Sequence, residues 1–425
     1  MSTDRSPVDD GPPRSRAGLL RDPAVGPLIT GRVLSTLAVW FTNVAASILV
    51  YDLTRSASAV ALITTAQFAP QLLLVPLTGV RADRADRAWQ MLVGVLVTAS
   101  GSVLLVGWAL TVGFARPVDA TVVGVAAGLV GAGFAIGGPA SQSLIPSLVR
   151  PSELADALAL TSLPIMIARA AGPAVGAVMY VRTGAVVTFA TSLTLHLVLA
   201  SILVVIRRRL TVDRAQPADD LRIRAALRYI LDHPRTGLAL VGLALIGVGV
   251  DPVVTLGPSL ADLLGDPTEL VGHLASAFGL GTALGFVVLS RARAAVGLDR
   301  LGALGLRVMA LGLLLAAAAA AAGSLAIPVA LAGLGIAGVG MPLALNAFTT
   351  IVQDGLPDGL RGRVMALWSM AFIGSRPLAA TLDGAVADAA GVRVALVTAA
   401  VLVLLGAGAA GSRRLAAAHA GAAPG

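Results

Sequence analysis

The chain contains neither cysteine nor lysine, and it is poor in charge and in aromatic side chains. Only 13% of its 425 residues are charged and 4% are aromatic, and the basic residues are all arginine. Without lysine there is no P-loop lysine for nucleotide phosphates and no Schiff-base lysine. Without cysteine there is no thiolate for metal or redox chemistry. We therefore expect that this chain does not hydrolyse ATP.

Apolar residues dominate what remains. They make up 56% of the chain, and its mean hydropathy of +0.87 lies far above that of a water-soluble domain. The 48 glycines suit helices whose backbones pack closely in lipid. The net charge of +8 does not indicate nucleic acid as a partner, because the arginines lie between apolar runs and not on one polar face.

Twelve apolar runs are each long enough to cross a bilayer as a helix, which takes about 20 residues. The composition and these runs predict an all-α membrane protein with about twelve transmembrane helices. The first six runs cover 27–52, 57–80, 88–113, 118–147, 155–181 and 184–206, and the last six cover 237–260, 269–290, 301–323, 325–352, 364–386 and 391–412.

The runs divide the chain into two groups of six. We expect the following parts: a tail at 1–26, a first six-helix bundle at 27–206, a linker at 207–236, a second bundle at 237–412 and a tail at 413–425. Within the linker, residues 219–232 have apolar side chains on one helical face and arginines on another. This pattern predicts a short amphipathic helix that lies along the membrane surface or docks a partner.

The arginines indicate the orientation, because positive residues in short loops stay on the cytoplasmic side. If both termini are cytoplasmic, the loops and segment ends on that side receive most of these arginines, among them Arg81, Arg84, Arg87, Arg150, Arg291, Arg293, Arg413 and Arg414. The outer loops then keep only Arg55, Arg116, Arg182 and Arg393. We expect a multi-pass protein of the inner or plasma membrane with both ends in the cytoplasm.

The two halves repeat each other. Gly137-Gly138-Pro139 in the fourth run resembles Gly340-Met341-Pro342 in the tenth, and Arg169 with Pro173 in the fifth resembles Arg376-Pro377 in the eleventh. Such repeats are common in transporters. They predict two bundles related by a pseudo-two-fold axis normal to the membrane.

The loop after the second run carries a motif of glycine, aspartate and arginine. Gly79, Asp83, Arg84 and Arg87 form a pattern that allows a tight turn and presents a carboxylate to a neighbouring helix. This segment resembles the signature loop between helices two and three of the major facilitator superfamily. The resemblance implies the superfamily fold and a conformational-switch function for this loop.

Further segments narrow the resemblance to the drug, macrolide and enterobactin (siderophore) exporters of that superfamily. Gly172, Pro173 and Gly176 in the fifth run resemble the antiporter-type motif of this group, and Arg361-Gly362-Arg363 resembles its loop before helix eleven. The resemblance implies an exporter driven by the proton gradient. One departure is Ala38-Val39-Trp40, where related sequences commonly carry a Gly-Asp pair, so Val39 stands in place of an acidic coupling residue.

Four charged residues inside the predicted spans are candidates for coupling or for buried structure. Asp251 could accept a proton, or it could cap a helix that restarts at Pro252. Arg169 could hold a carboxylate or an anionic substrate, or it could bond backbone carbonyls near the Gly-Pro kink. For Arg376 and Asp383, a local ion pair along one helix is the favoured interpretation, with a coupling function as the alternative.

Uncharged polar and aromatic side chains could line a central cavity. The candidates for substrate contact are Asn43, Gln67, Gln71, Asn346, Trp40 and Phe68. Interhelical hydrogen bonds are the more ordinary use of the amides, and interface anchoring is the more ordinary use of Trp.

The four histidines, at 196, 233, 273 and 419, have no metal-ligand spacing, so we expect no metal, no cofactor and no enzymatic activity. The sequence favours a secondary transporter, an efflux permease that exports a small amphipathic organic compound such as a drug, macrolide or siderophore by alternating access with proton antiport. A non-transporting membrane receptor or scaffold on the same fold is the alternative. We expect a monomer in the bilayer, with a proton and a small molecule as its partners.

Overall fold

The computed structural model describes residues 14–82, 86–207, 223–265 and 268–409, and within these ranges the ordered elements are helices. The first half begins with α1 (Arg16–Arg21), a short helix in the predicted tail. The first six predicted spans are covered by five helices, α2 (Val25–Thr54), α3 (Ala57–Ala82), α4 (Arg87–Thr111), α5 (Asp119–Leu144) and α6 (Leu154–Arg207). The helix α6 crosses the molecule twice, because it reverses at Gly184, whose φ of 81° and ψ of 177° are non-helical. A positive φ of this size favours glycine.

The second half begins with a short linker helix. Its elements are α7 (Ile223–Asp232), α8 (Pro234–Val250), α9 (Pro252–Thr255), α10 (Gly257–Leu263), α11 (Glu269–Val296), α12 (Leu298–Ala318), α13 (Ala326–Gln353), α14 (Asp358–Ala390) and α15 (Val392–Ala409). Helix α7 lies within the amphipathic segment predicted from sequence.

By length and composition, nine helical segments of the described chain could each span a membrane. One of them contains both crossings of α6, and α14 and α15 add one crossing each. The result is the twelve-helix, all-α membrane fold that the apolar runs predict, arranged as two six-helix bundles.

The seventh span differs most from its predicted form. It runs as α8, α9 and α10, and the first break falls between Val250 and Pro252. Proline lacks a backbone N–H and its ring clashes with the preceding turn, so the helix is interrupted there. The eleventh span, α14, begins at Asp358, whereas the sequence indicates a start near 364.

Within each bundle, neighbouring helices pack through glycine. A methyl group on Gly94 of α4 would lie 2.6 Å from the carbonyl oxygen of Gly133 on α5, and one on Gly305 of α12 would lie 2.7 Å from that of Gly340 on α13. These contacts join the third and fourth crossings of each bundle. The two bundles therefore repeat the same packing, as the internal sequence repeats predict.

Two seams join the bundles, one between α3 and α14 and one between α6 and α11. Each seam pairs the second crossing of one bundle with the fifth crossing of the other, which is the relation that a two-fold axis produces. We call the side of the molecule where α2 begins and α15 ends the near end, and the side where α2 meets α3 the far end. The hydrogen bonds and close glycine contacts of the seams cluster toward the far end.

Candidate functional site

The break in the seventh span positions a buried carboxylate. Asp251 is the residue between α8 and α9, and none of its side chain is exposed. Its Oδ2 accepts a hydrogen bond from the hydroxyl of Thr255 at 2.7 Å. The side chain does not cap α9, although its backbone carbonyl accepts from the first turn of that helix. Of the two functions considered from sequence, the structure therefore excludes the side-chain cap.

Asp251 forms an ion pair with Arg376 of α14, in which Nε lies 3.9 Å from Oδ1. The sequence favours a pair between Arg376 and Asp383 instead, and this expectation is wrong. Seven residues of helix separate those two positions by about 10 Å along the axis, which is too far for a direct contact. The gap of 3.9 Å is also wider than the 2.7–2.9 Å of a strong charge-assisted hydrogen bond, so the Asp251 pair is loose.

Arg376 of this ion pair contacts the first bundle directly, and Asp251 is connected to it through Thr255. The guanidinium of Arg376 lies 4.0 Å from the ring centroid of Phe68 on α3. The hydroxyl of Thr255, which donates to Asp251, lies 3.4 Å from that of Thr64, also on α3. The buried charges of the second bundle are thus connected to α3 through one cation-π contact and one hydroxyl pair.

Asp383 is a second buried carboxyl group, after Asp251. It lies on α14, and 2% of its surface is exposed. Its Oδ2 has no hydrogen-bond partner among the described residues. It lies within electrostatic range of Asp251. A buried, unpartnered carboxylate is costly, so the neutral acid is the favoured form of Asp383.

Arg169 lies near the middle of the first crossing of α6 and, unlike Arg376, has an exposed side chain. No hydrogen bond or ion pair joins it to another described residue. It lies within electrostatic range of Arg376. The next residue, Ala170, packs against Gly279 of α11 at the seam between the bundles, where a methyl group on Gly279 would lie 2.7 Å from the Cα of Ala170.

Two of the predicted cavity amides bond each other. Gln67 of α3 donates from Nε2 to Oδ1 of Asn43 on α2 at 3.2 Å, and Gln67 is buried. Gln71 makes a long contact of 3.5 Å to the backbone carbonyl of Gln67. Asn346 on α13 is half-buried, and its Oδ1 has no hydrogen-bond partner among the described residues. Asn43 and Gln67 therefore join helices, whereas Asn346 has an unused acceptor.

The antiporter-type motif packs α6 between two other helices. A methyl group on Gly172 would lie 2.9 Å from Cβ of Trp40, and one on Gly176 would lie 3.0 Å from Cα of Phe41. Both glycines therefore allow α2 to pack closely against α6. Trp40 is half-buried at this contact. The motif glycines thus allow the first and fifth crossings to approach closely.

Pro173 of the same motif faces the other bundle. Its carbonyl oxygen would lie 2.7 Å from a methyl group on Gly272 of α11. The backbone N–H of Ala174 donates to the hydroxyl of Ser276, also on α11, at 2.9 Å. A proline inside a helix frees backbone groups, and here one neighbouring group bonds across the seam.

The predicted switch loop is described only in part. Asp83 and Arg84 lie outside the described residues, and Gly79 lies in the last turns of α3. Arg87 is the first residue of α4, whose N-terminus is capped by Asp86. Asp86 also accepts from Nε of Arg207 at 2.6 Å, so this loop is bonded to the end of α6 in its own bundle.

The sequence analysis missed a carboxylate that joins the two bundles at the far end. Asp388 of α14 accepts hydrogen bonds from the backbone N–H of Ala57 at 2.7 Å and of Ser58 at 3.1 Å, and from the hydroxyl of Ser56 at 2.7 Å. It therefore caps α3 of the other bundle. An aspartate in an alanine-rich helix end gives no sequence signal of this contact, because its partners lie 330 residues away or more.

Metal binding finds no support in the side chains. Among the residues that the structure describes, no three His, Cys, Asp or Glu side chains lie together in a way that could hold a metal ion.

A fold of two repeated six-helix bundles, with a loose buried ion pair at the seam, defines a membrane transporter of the major facilitator type. The family model for transmembrane secretion effectors matches residues 18–423. The chain therefore belongs to this family, within the major facilitator superfamily. No curated protein matches the chain.

Solved structures agree with this fold. A bacterial homologue of the iron transporter ferroportin in its inward-facing state has a TM-score of 0.72 at 16% identity, covering 90% of this chain and 98% of that one. A bacterial homologue of ferroportin in an outward-facing state has a TM-score of 0.62 at 17% identity, covering 93% of this chain and 99% of that one. A bacterial homologue of the human lysosomal transporter Spinster, inward-facing and unoccupied, scores 0.69 at 16% identity, covering 94% and 98%.

Proposed function

We propose that this chain is an efflux permease, a secondary active transporter that exports a small amphipathic organic compound by alternating access in exchange for protons. The observation that carries the proposal is the ion pair of Asp251 with Arg376, because both of its members are connected to α3 of the other bundle. A change in the charge of Asp251 therefore acts on the seam between the bundles.

The coupling follows from the contacts of Asp251. The charged groups around it are Arg376, the neighbouring acid Asp383 and, beyond Arg376, Arg169. While the far end is open, Asp251 takes up a proton from that side, which removes the anionic partner of Arg376 and lets the guanidinium move away from it. When the far end closes again, Arg376 returns to Asp251 and favours release of the proton toward the near end. The exported compound leaves while the far end is open.

The direction of transport rests on the orientation. The arginine distribution supports a cytoplasmic near end with both termini inside, in a bacterial inner membrane. The seams join at the far end, which corresponds to an inward-facing state in that orientation. We take residues 27–206 and 237–412 as the two bodies that rock against each other, in a protein that acts as a monomer.

We infer that the compound binds between these bodies. Trp40 and Phe68 offer apolar and aromatic surface, and Gln71 and Asn346 offer polar atoms. The switch loop from Gly79 to Arg87 acts at the near end. Gly172 and Gly176 keep α6 packed against α2 as the first bundle moves, and Pro173 contacts α11 at the seam. The resemblance to drug, macrolide and siderophore exporters supports an amphipathic substrate.

The test is transport in proteoliposomes across a panel of dyes, macrolides and siderophores. We expect an imposed pH gradient to drive accumulation of at least one of them. D251N should lose this gradient-driven accumulation but keep exchange of labelled for unlabelled compound, because exchange needs no net proton movement. D354N is the matched control, since Asp354 is exposed and bonds Arg235 within its own bundle. Gradient-driven uptake by D251N at the wild-type rate would refute proton coupling through this residue.

A further inference from the structure

Equivalent arginines in the two bundles differ in whether they have an anionic partner. Arg169 and Arg376 lie in the fifth crossing of their bundles, each at or close before a proline. Arg376 has an anionic partner, Asp251, which comes from the first crossing of its bundle. The equivalent helix for Arg169 is α2, whose residues Val25–Thr54 contain one acid, Asp52, in the last turn at the far end. The anionic partner that the repeat predicts for Arg169 is therefore missing.

The side chain of Arg169 points toward the interior of the molecule. On a helix with 100° per residue it lies about 180° from Val178 and nearly as far from Ile167, whose exposed side chains mark the lipid-facing surface of α6. On one side of it, Gly172 packs on α2, and on the other side, Ala170 packs on α11. Arg169 thus lies between the two helices that border the space between the bundles, and its side chain is exposed there.

The charges around this space do not balance. Arg169 and Arg376 are within electrostatic range of each other, and the ionised carboxylate described near them is Asp251. Asp383 has an oxygen with no donor among the described residues and is favoured as a neutral acid. Two guanidinium groups against one carboxylate leave an excess of one positive charge. A guanidinium away from bulk water is stabilised by an anion.

We propose that the exported compound is a monoanionic amphiphile whose carboxylate or sulfonate binds Arg169. This inference deepens the proposed function and rests on it. A guanidinium binds such a group through two parallel hydrogen bonds. The apolar part of the compound lies against Trp40, which packs one turn away at Gly172. In this arrangement the substrate supplies the negative charge that Asp251 supplies in the other bundle.

The same arrangement connects substrate binding to opening. An anion on Arg169 attracts the guanidinium of Arg376 electrostatically and so opposes Asp251, whose ion pair with Arg376 is loose at 3.9 Å. Substrate entering from the near end therefore weakens the contacts of Arg376 at the seam with α3.

The test compares two probes of almost identical shape, 1-naphthylacetate and its neutral amide 1-naphthylacetamide. Their binding to the purified full-length protein is measured by equilibrium dialysis, for the wild type and for R169Q, R169K and R393Q. Arg393 is an exposed arginine at the far end of α15 and serves as the matched control. Size-exclusion elution of each variant checks that it remains folded.

We expect the wild type and R393Q to bind the acetate at least tenfold more tightly than the amide. R169Q should bind the two within twofold of each other, and R169K should recover part of the preference because it restores the charge. The amide should bind equally well to all four proteins. No binding of the acetate at millimolar concentration, or an unchanged preference in R169Q, would overturn the inference.

These results are separable from the proposed function. Gradient-driven export of neutral or cationic compounds without a preference for the acetate would leave proton-coupled efflux standing and refute the anion site. An arginine-dependent preference for the acetate in a protein that shows no gradient-driven transport would support the anion site and refute proton-coupled efflux.

Discussion

The near and far ends of the molecule use their polar contacts for different purposes. At the near end, ion pairs join elements within one bundle: Arg14 pairs with Glu153 at 2.7 Å, and Arg207 pairs with Asp86 at 2.6 Å. At the far end, Asp388 caps α3 of the other bundle, and Asp262 accepts from the hydroxyl of Tyr51 at 3.2 Å. Near-end contacts therefore stiffen each bundle, whereas far-end contacts hold the bundles together.

This difference is what alternating access requires. A bundle that rocks as one body must keep its own loops fixed, and its contacts with the partner must be few and reversible. The far-end contacts are a helix cap, an exposed ion pair and close glycine packing, each of which can form and break without exposing a large buried surface. The next three predictions change one far-end contact each; the first two use an exposed or near-end substitution as control, and the third is checked by its dependence on salt.

The largest effect is expected from Gly272, at the seam between α6 and α11. A methyl group there would lie 2.7 Å from the carbonyl oxygen of Pro173, which belongs to the backbone and cannot move aside. Overpacking of this kind costs about 2 kcal/mol, so G272A should shift the equilibrium toward a far-end-open state roughly thirtyfold. The distance between spin labels at V112C and R393C, on opposite bundles at the far end, should lengthen.

Gly107 on α4 gives the control for this change, since a methyl group there meets no atom within 4 Å. G107A should leave the spin-label distance unchanged. A G272A protein with the wild-type distance distribution would show that the α6–α11 seam does not limit far-end closure.

An intermediate effect is expected from Asp388. D388A removes three hydrogen bonds to the start of α3, and loss of an N-cap costs about 1 kcal/mol, a shift of roughly fivefold toward the open far end. The same spin-label pair measures it. D354A, which removes an exposed aspartate at the near end of the same bundle, should have no effect on this distance. An equal effect of both changes would contradict the conclusion that Asp388 holds the two bundles together.

The smallest effect is expected from Asp262. Its ion pair with Arg55 is 3.5 Å long, and 44% of its side chain is exposed. Exposed pairs contribute about 0.5 kcal/mol or less, so D262N should shift the spin-label distribution by about twofold at most. Because salt screens such pairs, the difference between D262N and wild type should vanish at high ionic strength. A larger effect than that of D388A would reverse the proposed order.

The sequence predicts the helices well and the far-end contacts poorly, for a physical reason. A helix in lipid must satisfy its own backbone and show about 20 apolar residues, so each crossing leaves a local signal. The break at Asp251 was also visible, because proline acts on its own chain neighbours. By contrast, the partner of Arg376 is 125 positions away along the chain, whereas the spacing along its own helix indicates only Asp383, which it does not contact.

The site residues likewise divide into those that the sequence indicates and those that it does not. The resemblance to the exporter group indicates the small residues of the antiporter-type motif, and they lie at helix contacts. Asp388 and Thr255 could not be found, because their function depends on which bundle faces them. Tertiary contacts between bundles leave no periodic pattern in either segment, so composition and spacing cannot indicate them.

The most direct test of the account is a reversible cross-link across the far end. Thr65 of α3 and Thr381 of α14 have hydroxyls 3.4 Å apart, and the chain has no cysteine of its own, so T65C with T381C gives one defined disulfide. The account predicts that oxidation stops transport, that reduction restores it, and that each single variant transports under both conditions. Full transport by the oxidised, cross-linked protein would show that the bundles do not separate at this seam, and would contradict alternating access by rocking.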